Sequence, residues 1–273
     1  MTVLTEGFSL QAAETSVFAQ GTALECAAWK AGFGCGPVEV LIFELEPYIS
    51  ESGVWSRLVE GELPGGLAST LSALRLLTTV NLGEDIFDIG ARTLAQLQRR
   101  RFDDGSWDAP GSWPGLGEGI ARRAWYTASL GGLVGLLSGS GHSESARVMS
   151  EGAARWVQAN WPRVSDSGPA FWWSVLHCLG RQDTPTAQRI VDDAAHRLHR
   201  WLDKPRPASD LAWIHEATRV ARRGLRDPLR QRAWSGLLET QLPGGGWLGG
   251  SEAGWTTSSP SATYFASRAL VRP

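Results

Sequence analysis

The side chains of this 273-residue sequence best suited to chemistry are a few carboxylates, histidines and arginines set among apolar residues. Glu118 follows Gly115-Leu-Gly117, Asp210 stands in Pro207-Ala-Ser-Asp-Leu-Ala-Trp213, and His177 lies among Trp172, Trp173, Val175 and Leu176. A carboxylate opening a helix complements the helix dipole, or it serves as an acid or cation stabiliser at the rim of a cavity. Asp166, in Val164-Ser-Asp-Ser-Gly168, reads as an N-cap near the same rim. His177 is either a satisfied core histidine or a base facing a cavity. His215 and Glu216 beside Trp213 suggest a base with an orienting acid, but sequence neighbours on a helix seldom face each other. Arg122 and Arg123, one turn before Trp125-Tyr126, could grip a diphosphate or carboxylate; the alternative is a pair of solvated helix arginines.

Metal chemistry finds little support. His177-Cys178 are adjacent, so on a helix they diverge by about 100° and cannot easily share an ion. Asp192, His196 and His199 have better spacing, but they fall on the polar face of a helix whose apolar positions are Ile190, Val191, Ala194, Ala195, Leu198 and Trp201. No metal site and no cofactor are therefore expected. A phosphate loop ending in Lys-Ser/Thr and a Gly-x-Ser-x-Gly elbow are both missing. Three cysteines, Cys26, Cys35 and Cys178, form no Cys-x-x-Cys pair and read as reduced thiols. A net charge of −2 gives no reason to expect nucleic acid or an anionic membrane as partner. Nothing resembles an export signal or a spanning segment, so the expected location is the cytoplasm. The outlying feature is Trp 14 against Tyr 3, since tryptophans can wall a cavity for an apolar or cationic guest.

Periodicity and breakers divide the chain into helices at Leu10–Lys30, Val38–Ile49, about Gly65–Val80, Glu84–Arg101, Glu118–Leu137, Ser143–Asn160, Pro169–Gly180, Thr186–Leu202, Ser209–Arg223, Asp227–Gln241 and Pro260–Val271. No stretch alternates long enough to make a strand, so the expected class is all-α. Several links share a grammar. Gln98-Arg-Arg-Arg-Phe-Asp-Asp-Gly-Ser-Trp107 returns as Gln241-Leu-Pro-Gly-Gly-Gly-Trp247, with partial copies at Glu51-Ser-Gly-Val-Trp55 and Trp156-Val-Gln-Ala-Asn-Trp161. A glycine can take the positive φ of a tight turn, tryptophan covers it, and glutamine can bond the free groups of two helix ends. Recurrence of such turns indicates a repeat architecture.

The two full motifs resemble the Gln–Trp repeats of squalene–hopene and oxidosqualene cyclases, of class II diterpene cyclases and of protein prenyltransferase β subunits. The tail Gly254–Leu270 looks like the last inner helix of those proteins, and the resemblance covers roughly residues 36–273. It implies one α/α toroid domain over residues 1–273, with about six inner and five outer helices, the inner ones starting near residues 65, 118, 169, 209 and 260 and the N-terminal helix supplying the sixth. It further implies a terpene-cyclase-like enzyme that cyclises or rearranges a hydrophobic isoprenoid or polyene. In that ring Trp125, Tyr126, Trp172, Trp173, Trp213 and Tyr264 would line the cavity, with Arg122 as a polar binding residue and Glu118, His177 and Asp210 as catalytic candidates. Trp172 and Trp173, being adjacent, cannot both face inward. The class II cyclases protonate an alkene with Asp-x-Asp-Asp, which this sequence lacks; Asp103-Asp104 lies in a turn, and Asp192-Asp193 on an outward face. The alternatives are a toroid that binds a lipid or partner without catalysis, and a prenyltransferase-like subunit. The prenyltransferase zinc ligands have no counterpart here, so activity is expected to survive exhaustive chelation. Stoichiometric zinc whose removal abolishes turnover would reverse that expectation.

Overall fold

The computed structural model describes residues 8–58, 67–80, 87–109, 119–138, 144–248 and 259–271. Twelve α-helices are present among them: α1 Leu10–Gln20, α2 Ala23–Phe33, α3 Val38–Leu45, α4 Ala68–Thr79, α5 Phe87–Arg100, α6 Ile120–Ser138, α7 Glu144–Val164, α8 Pro169–Leu179, α9 Pro185–Trp201, α10 Ala208–Val220, α11 Pro228–Glu239 and α12 Pro260–Val271. A 3-10 turn, Glu46–Tyr48, extends α3. An isolated antiparallel bridge joins Ile49 and Trp55. Across the described residues the protein is all-helical. None of these helices is long and apolar enough to cross a membrane.

The first predicted helix needs correction. The run Leu10–Lys30 is two helices, broken at Gly21-Thr22. Thr22 and Glu25 form a reciprocal capping box, each side chain bonding the other's backbone N–H. That box satisfies the start of a new helix, so the apolar periodicity continues across the break and hides it. Other boundaries follow ordinary signals. Asp227 accepts from the N–H groups of Leu229 and Arg230 and Pro228 opens α11; Thr184 caps α9 ahead of Pro185.

Even-numbered helices pack on one another in chain order, α4 on α6, α6 on α8, α8 on α10 and α10 on α12, and α12 also contacts α2. They are buried over most of their circumference: in α8, Phe171 and every residue from Trp173 to Leu179 are buried. Odd-numbered helices show one apolar stripe. That of α9 is Ala187, Ile190, Val191, Ala194, Ala195 and Leu198, the i, i+3, i+4, i+7 pattern of a helix with one solvated face. Asp192 and His196 are exposed on that face.

Three turns link odd- to even-numbered layers by the same bonds. In residues 50–55 the N–H of Ser50 donates to Val54 O and that of Gly53 to Ser50 O; Phe102–Ser106–Gly105 and Leu242–Gly246–Gly245 repeat both bonds. Gly53, Gly105 and Gly245 have φ of 80°, 91° and 83°. Each lies against the backbone of another helix, where a Cβ would stand 2.1 Å from Arg92 O of α5, 2.9 Å from Gly152 O of α7 and 2.2 Å from Ala12 C of α1. Trp55, Trp107 and Trp247 are fully buried beside them. The indoles of Trp107 and Trp247 donate to the carbonyls of Leu97 and Leu237, both at 2.9 Å and ten residues back, and their own N–H groups donate to Thr127 Oγ1 and Thr263 Oγ1, both at 3.0 Å. Trp55 donates instead to Thr93 Oγ1 at 2.9 Å.

Gln241 bridges the start of α1 and its own turn, where the expectation is the carbonyl end of one helix and the N–H end of the next. Its Oε1 accepts from Ser9 N at the start of α1 and its Nε2 donates to Gly245 O. Gln98 accepts from Ser145 Oγ in the first turn of α7. The copy expected at Trp156–Trp161 is not a turn, because α7 runs through it to Val164 with Pro162 inside the helix. The Trp156 indole instead donates to Asp104 Oδ2 of the 102–107 turn at 3.0 Å. Trp107→Ala deletes a fully buried ring and the cap on Leu97 together. Chemical denaturation is expected to show a loss of about 3–5 kcal/mol; a loss below about 1 kcal/mol would mean the turn does not depend on its tryptophan.

Candidate functional site

A cavity of about 490 Å3 lies where α2, α4, α10 and α12 converge. Thr22, Ser209 and Ser259, at or beside the N-terminal ends of α2, α10 and α12, form its rim; Trp213 and Phe265 lie deeper along α10 and α12, and Arg75 borders the same space from α4. From Ser209 to Trp213 is about 6 Å of helix rise. Leu24, Leu58 and Leu76 supply apolar wall, and Trp213 and Phe265 stand with ring centroids 4.9 Å apart. Two small hollows adjoin this floor. One lies between Glu216 and Arg268, the other between Ser129, Trp173 and His177, and Trp213 borders both.

The residues expected from sequence divide sharply. Trp213, Trp173 and His177 face this region. Trp172 turns away: its indole donates to Ser165 O at 2.7 Å and Arg197 covers its ring. Trp125 and Tyr126 are buried in edge contact, centroids 4.8 Å apart, and border none of these cavities. Tyr264 is a packing residue whose hydroxyl bonds Thr79 Oγ1 at 2.6 Å and whose ring leaves no room for a side chain at Gly32. Arg122 pairs through two bonds with Asp108 and is not a cavity residue. Glu118 lies outside the described residues. Asp210 stands beside the rim residue Ser209 and feels the charges of Arg206 and Arg75.

The side chain at the floor missed by sequence reading is Arg75. Its guanidinium carbon sits 4.4 Å from the centroid of the Trp213 ring, a stacked cation–π contact. The signal was there: one arginine inside the apolar run Leu74-Arg-Leu-Leu77 of a buried helix. Arg268, also missed, has a different task. It is buried and donates to the carbonyls of Gly32 and Thr79, near the C-terminal ends of α2 and α4, where a cation offsets the helix dipole. His215 points away from the cavity, its Nε2 accepting from Arg230 Nε at 3.3 Å, whereas its neighbour Glu216 borders a hollow and is held by Arg219 at 2.5 and 2.7 Å. The two therefore do not act as a pair.

Burial sets the protonation states. It lowers His177 to about 4, with Glu216 only partly opposing, and His177 Nε2 has no hydrogen-bond partner. Burial also lowers His215 to about 4, assisted by Arg230. Asp210 goes the other way, raised to about 6 by burial against the pull of Arg206, Ser209 and Arg75. Burial would raise Glu216 too, but its bonds to Arg219 overcome that and hold it below the usual range. Cys178, pushed up to about 12 by burial, is an inert core thiol. Among the described residues no three of His, Cys, Asp and Glu gather as a metal site. A larger open groove of about 740 Å3 runs beside Asp104, Asp108 and Arg123, but Arg123 is already paired with Asp104. No protein-family pattern matches the chain, and no curated protein matches it.

These shifts make stability depend on pH with a definite sign. Between about 4 and the ordinary value of 6.5, an unfolded chain protonates His177 and the native state does not. The histidine's contribution is therefore full above 6.5 and lost as pH falls toward 4; His215 behaves alike. Asp210, raised from 3.8 to about 6, contributes most below 3.8 and loses that as pH rises through 6. Two histidines outweigh one aspartate, so urea denaturation should find the protein less stable at pH 5 than at pH 7. In His177→Asn that fall should shrink by about 2 kcal/mol. Equal falls in both proteins would show that His177 titrates normally in the native state.

Proposed function

We propose that the chain is an α/α toroid of the terpene-cyclase-like class, an enzyme that folds a hydrophobic isoprenoid or polyene in its central cavity and cyclises or rearranges it. The toroid reading is supported by the serial packing of even-numbered helices and by the three Gly-x-Trp turns, the last of which seats on α1. In that reading α2, α4, α6, α8, α10 and α12 form the inner ring. The outer helices number six rather than five, because the first predicted helix is divided at Gly21-Thr22. The carrying observation for function is the roughly 490 Å3 cavity, whose apolar part includes Trp213, Phe265 and three leucines and whose polar part includes four serines, Thr22, Glu25, Tyr48 and two arginines, a size and lining suited to a small molecule with both an apolar and a polar portion. The enzyme works in the cytoplasm without metal or cofactor.

The carboxyl groups nearby argue about mechanism: Glu25 lines the cavity but closes the capping box of α2, and Asp210 stands next to the lining residue Ser209. Asp210, at about 6, is a weaker acid than an ordinary aspartate, whereas protonating an alkene calls for a far stronger one. The chemistry that fits is a pericyclic closure or a rearrangement of a substrate activated beforehand, with the cavity fixing the reactive conformer. One observation favours a second, non-catalytic reading: Arg75 already covers a face of Trp213, so that face is not free to stabilise a developing carbocation.

Native mass spectrometry after exposure to an isoprenoid extract, followed by chromatography of the recovered ligand, separates these readings. An enzyme returns a product with altered ring or double-bond count, and a binding module returns its ligand unchanged. Trp213→Ala should cut retention at least about tenfold, or about 1.4 kcal/mol, while Trp172→Ala leaves it unaltered. No retained hydrophobic molecule in the unsubstituted protein would end the proposal.

A further inference from the structure

The cavity floor holds a charge that the protein does not satisfy. Among the described residues no carboxylate or carbonyl oxygen lies within bonding distance of the Arg75 guanidinium. Two other arginines border this cavity and its adjoining hollows: Arg268 is spent on two helix ends, and Arg57 lies in the segment after Trp55, outside the helices. The carboxylates in the neighbourhood do not answer Arg75 directly. Asp210 acts on it only at longer range, Glu216 is engaged by Arg219, and Glu25 closes the capping box of α2.

We propose that the molecule held in this cavity carries an anionic group, a carboxylate or a phosphate, and enters with that group first to dock on Arg75, its apolar chain extending toward the rim. The inference rests on the reading that the cavity takes an isoprenoid-like chain, and adds the charge and direction of that chain. The contact with the Trp213 ring at 4.4 Å holds the guanidinium in place without using its N–H donors, which are then available to a two-oxygen acceptor. Ser72, one turn before Arg75 on α4, borders the same space and can supply a further hydroxyl. Leu24, Leu58 and Leu76 border the same cavity and present apolar surface to whatever follows the anionic group. Burial already depresses Arg75 to about 10, with Asp210 opposing, as expected for a cation short of a counter-charge. An anion docked there would restore what desolvation takes away.

Calorimetric titration with chain-matched probes tests this: farnesol, farnesoic acid, farnesyl monophosphate and inorganic phosphate alone. The expected result is that the acid, the monophosphate or both bind at least about tenfold more tightly than farnesol, that Arg75→Met abolishes the difference, and that Arg75→Lys keeps part of it. Which anionic probe binds more tightly identifies the head group. Equal binding of farnesol and the anions, or a preference that survives in Arg75→Met, overturns the inference while leaving the apolar-chain reading intact. If no farnesyl probe binds, both fall together. Inorganic phosphate matching farnesyl monophosphate would likewise overturn it, since the chain would then add nothing. Thermal melting gives an independent readout, because removing an uncompensated cation should leave Arg75→Met at least as stable as the unsubstituted protein. A substantially lowered melting temperature in both Arg75→Met and Arg75→Lys would make the arginine a packing residue and refute its role as an anion dock.

Discussion

The contact on which this fold depends is backbone against backbone, at the glycine of each Gly-x-Trp turn. Gly53, Gly105 and Gly245 adopt a positive φ and press onto α5, α7 and α1 with no space for a Cβ. A side chain there would be penalised twice, by conformation and by collision. The buried tryptophan two residues later then completes the joint. In the second and third turns its indole caps a carbonyl near the end of the preceding helix while a threonine accepts its main-chain N–H. Each joint thereby fixes the turn, the helix before it and a helix beyond it. The even-numbered helices between these joints are free to be apolar nearly all round, since their neighbours cover them.

Much of this was legible in the sequence for a physical reason. A turn built from a positive-φ glycine, a covering indole and a bridging amide needs those residue types at nearly fixed spacing, so Gln98–Trp107 and Gln241–Trp247 announce it. Helix ends were legible wherever a proline or cap residue marks them, as at Asp227-Pro228. The failures came where one pattern has two solutions. Apolar periodicity runs on through Gly21-Thr22, and only the Thr22–Glu25 box separates α1 from α2. Gln158 and Trp161 imitate the turn motif without its glycine, and the helix simply continues.

The cavity was harder to read, because inward and outward faces of a helix buried on most sides carry similar residues. Trp125, Tyr126 and Tyr264 are as aromatic as Trp213, yet they fill helix–helix contacts. Only the divergence of adjacent residues gave a usable rule, and Trp172 and Trp173 obey it. Arg75 escaped notice because a lone arginine in a leucine-rich run resembles a solvated interruption. Its position over Trp213 shows that interruptions of buried helices repay more scrutiny than clusters such as Arg99-Arg-Arg101, which end a helix in the ordinary way.

The bond between Ser9 and Gln241 spans 232 positions, and Gly245 rests on Ala12. Such a join has a temporal cost. Most contacts in this protein are between helices near in sequence and can form early, as in other helical stacks. The seat on α1 cannot form until the residues of the third joint have left the ribosome. Until then the surface of α1 that receives Gly245 remains uncovered, along with Phe8, which finally packs on Trp247 at 5.9 Å. Synthesis therefore passes through an open stack with one unfinished apolar end, the kind of intermediate that invites capture by chaperones or by a second nascent copy.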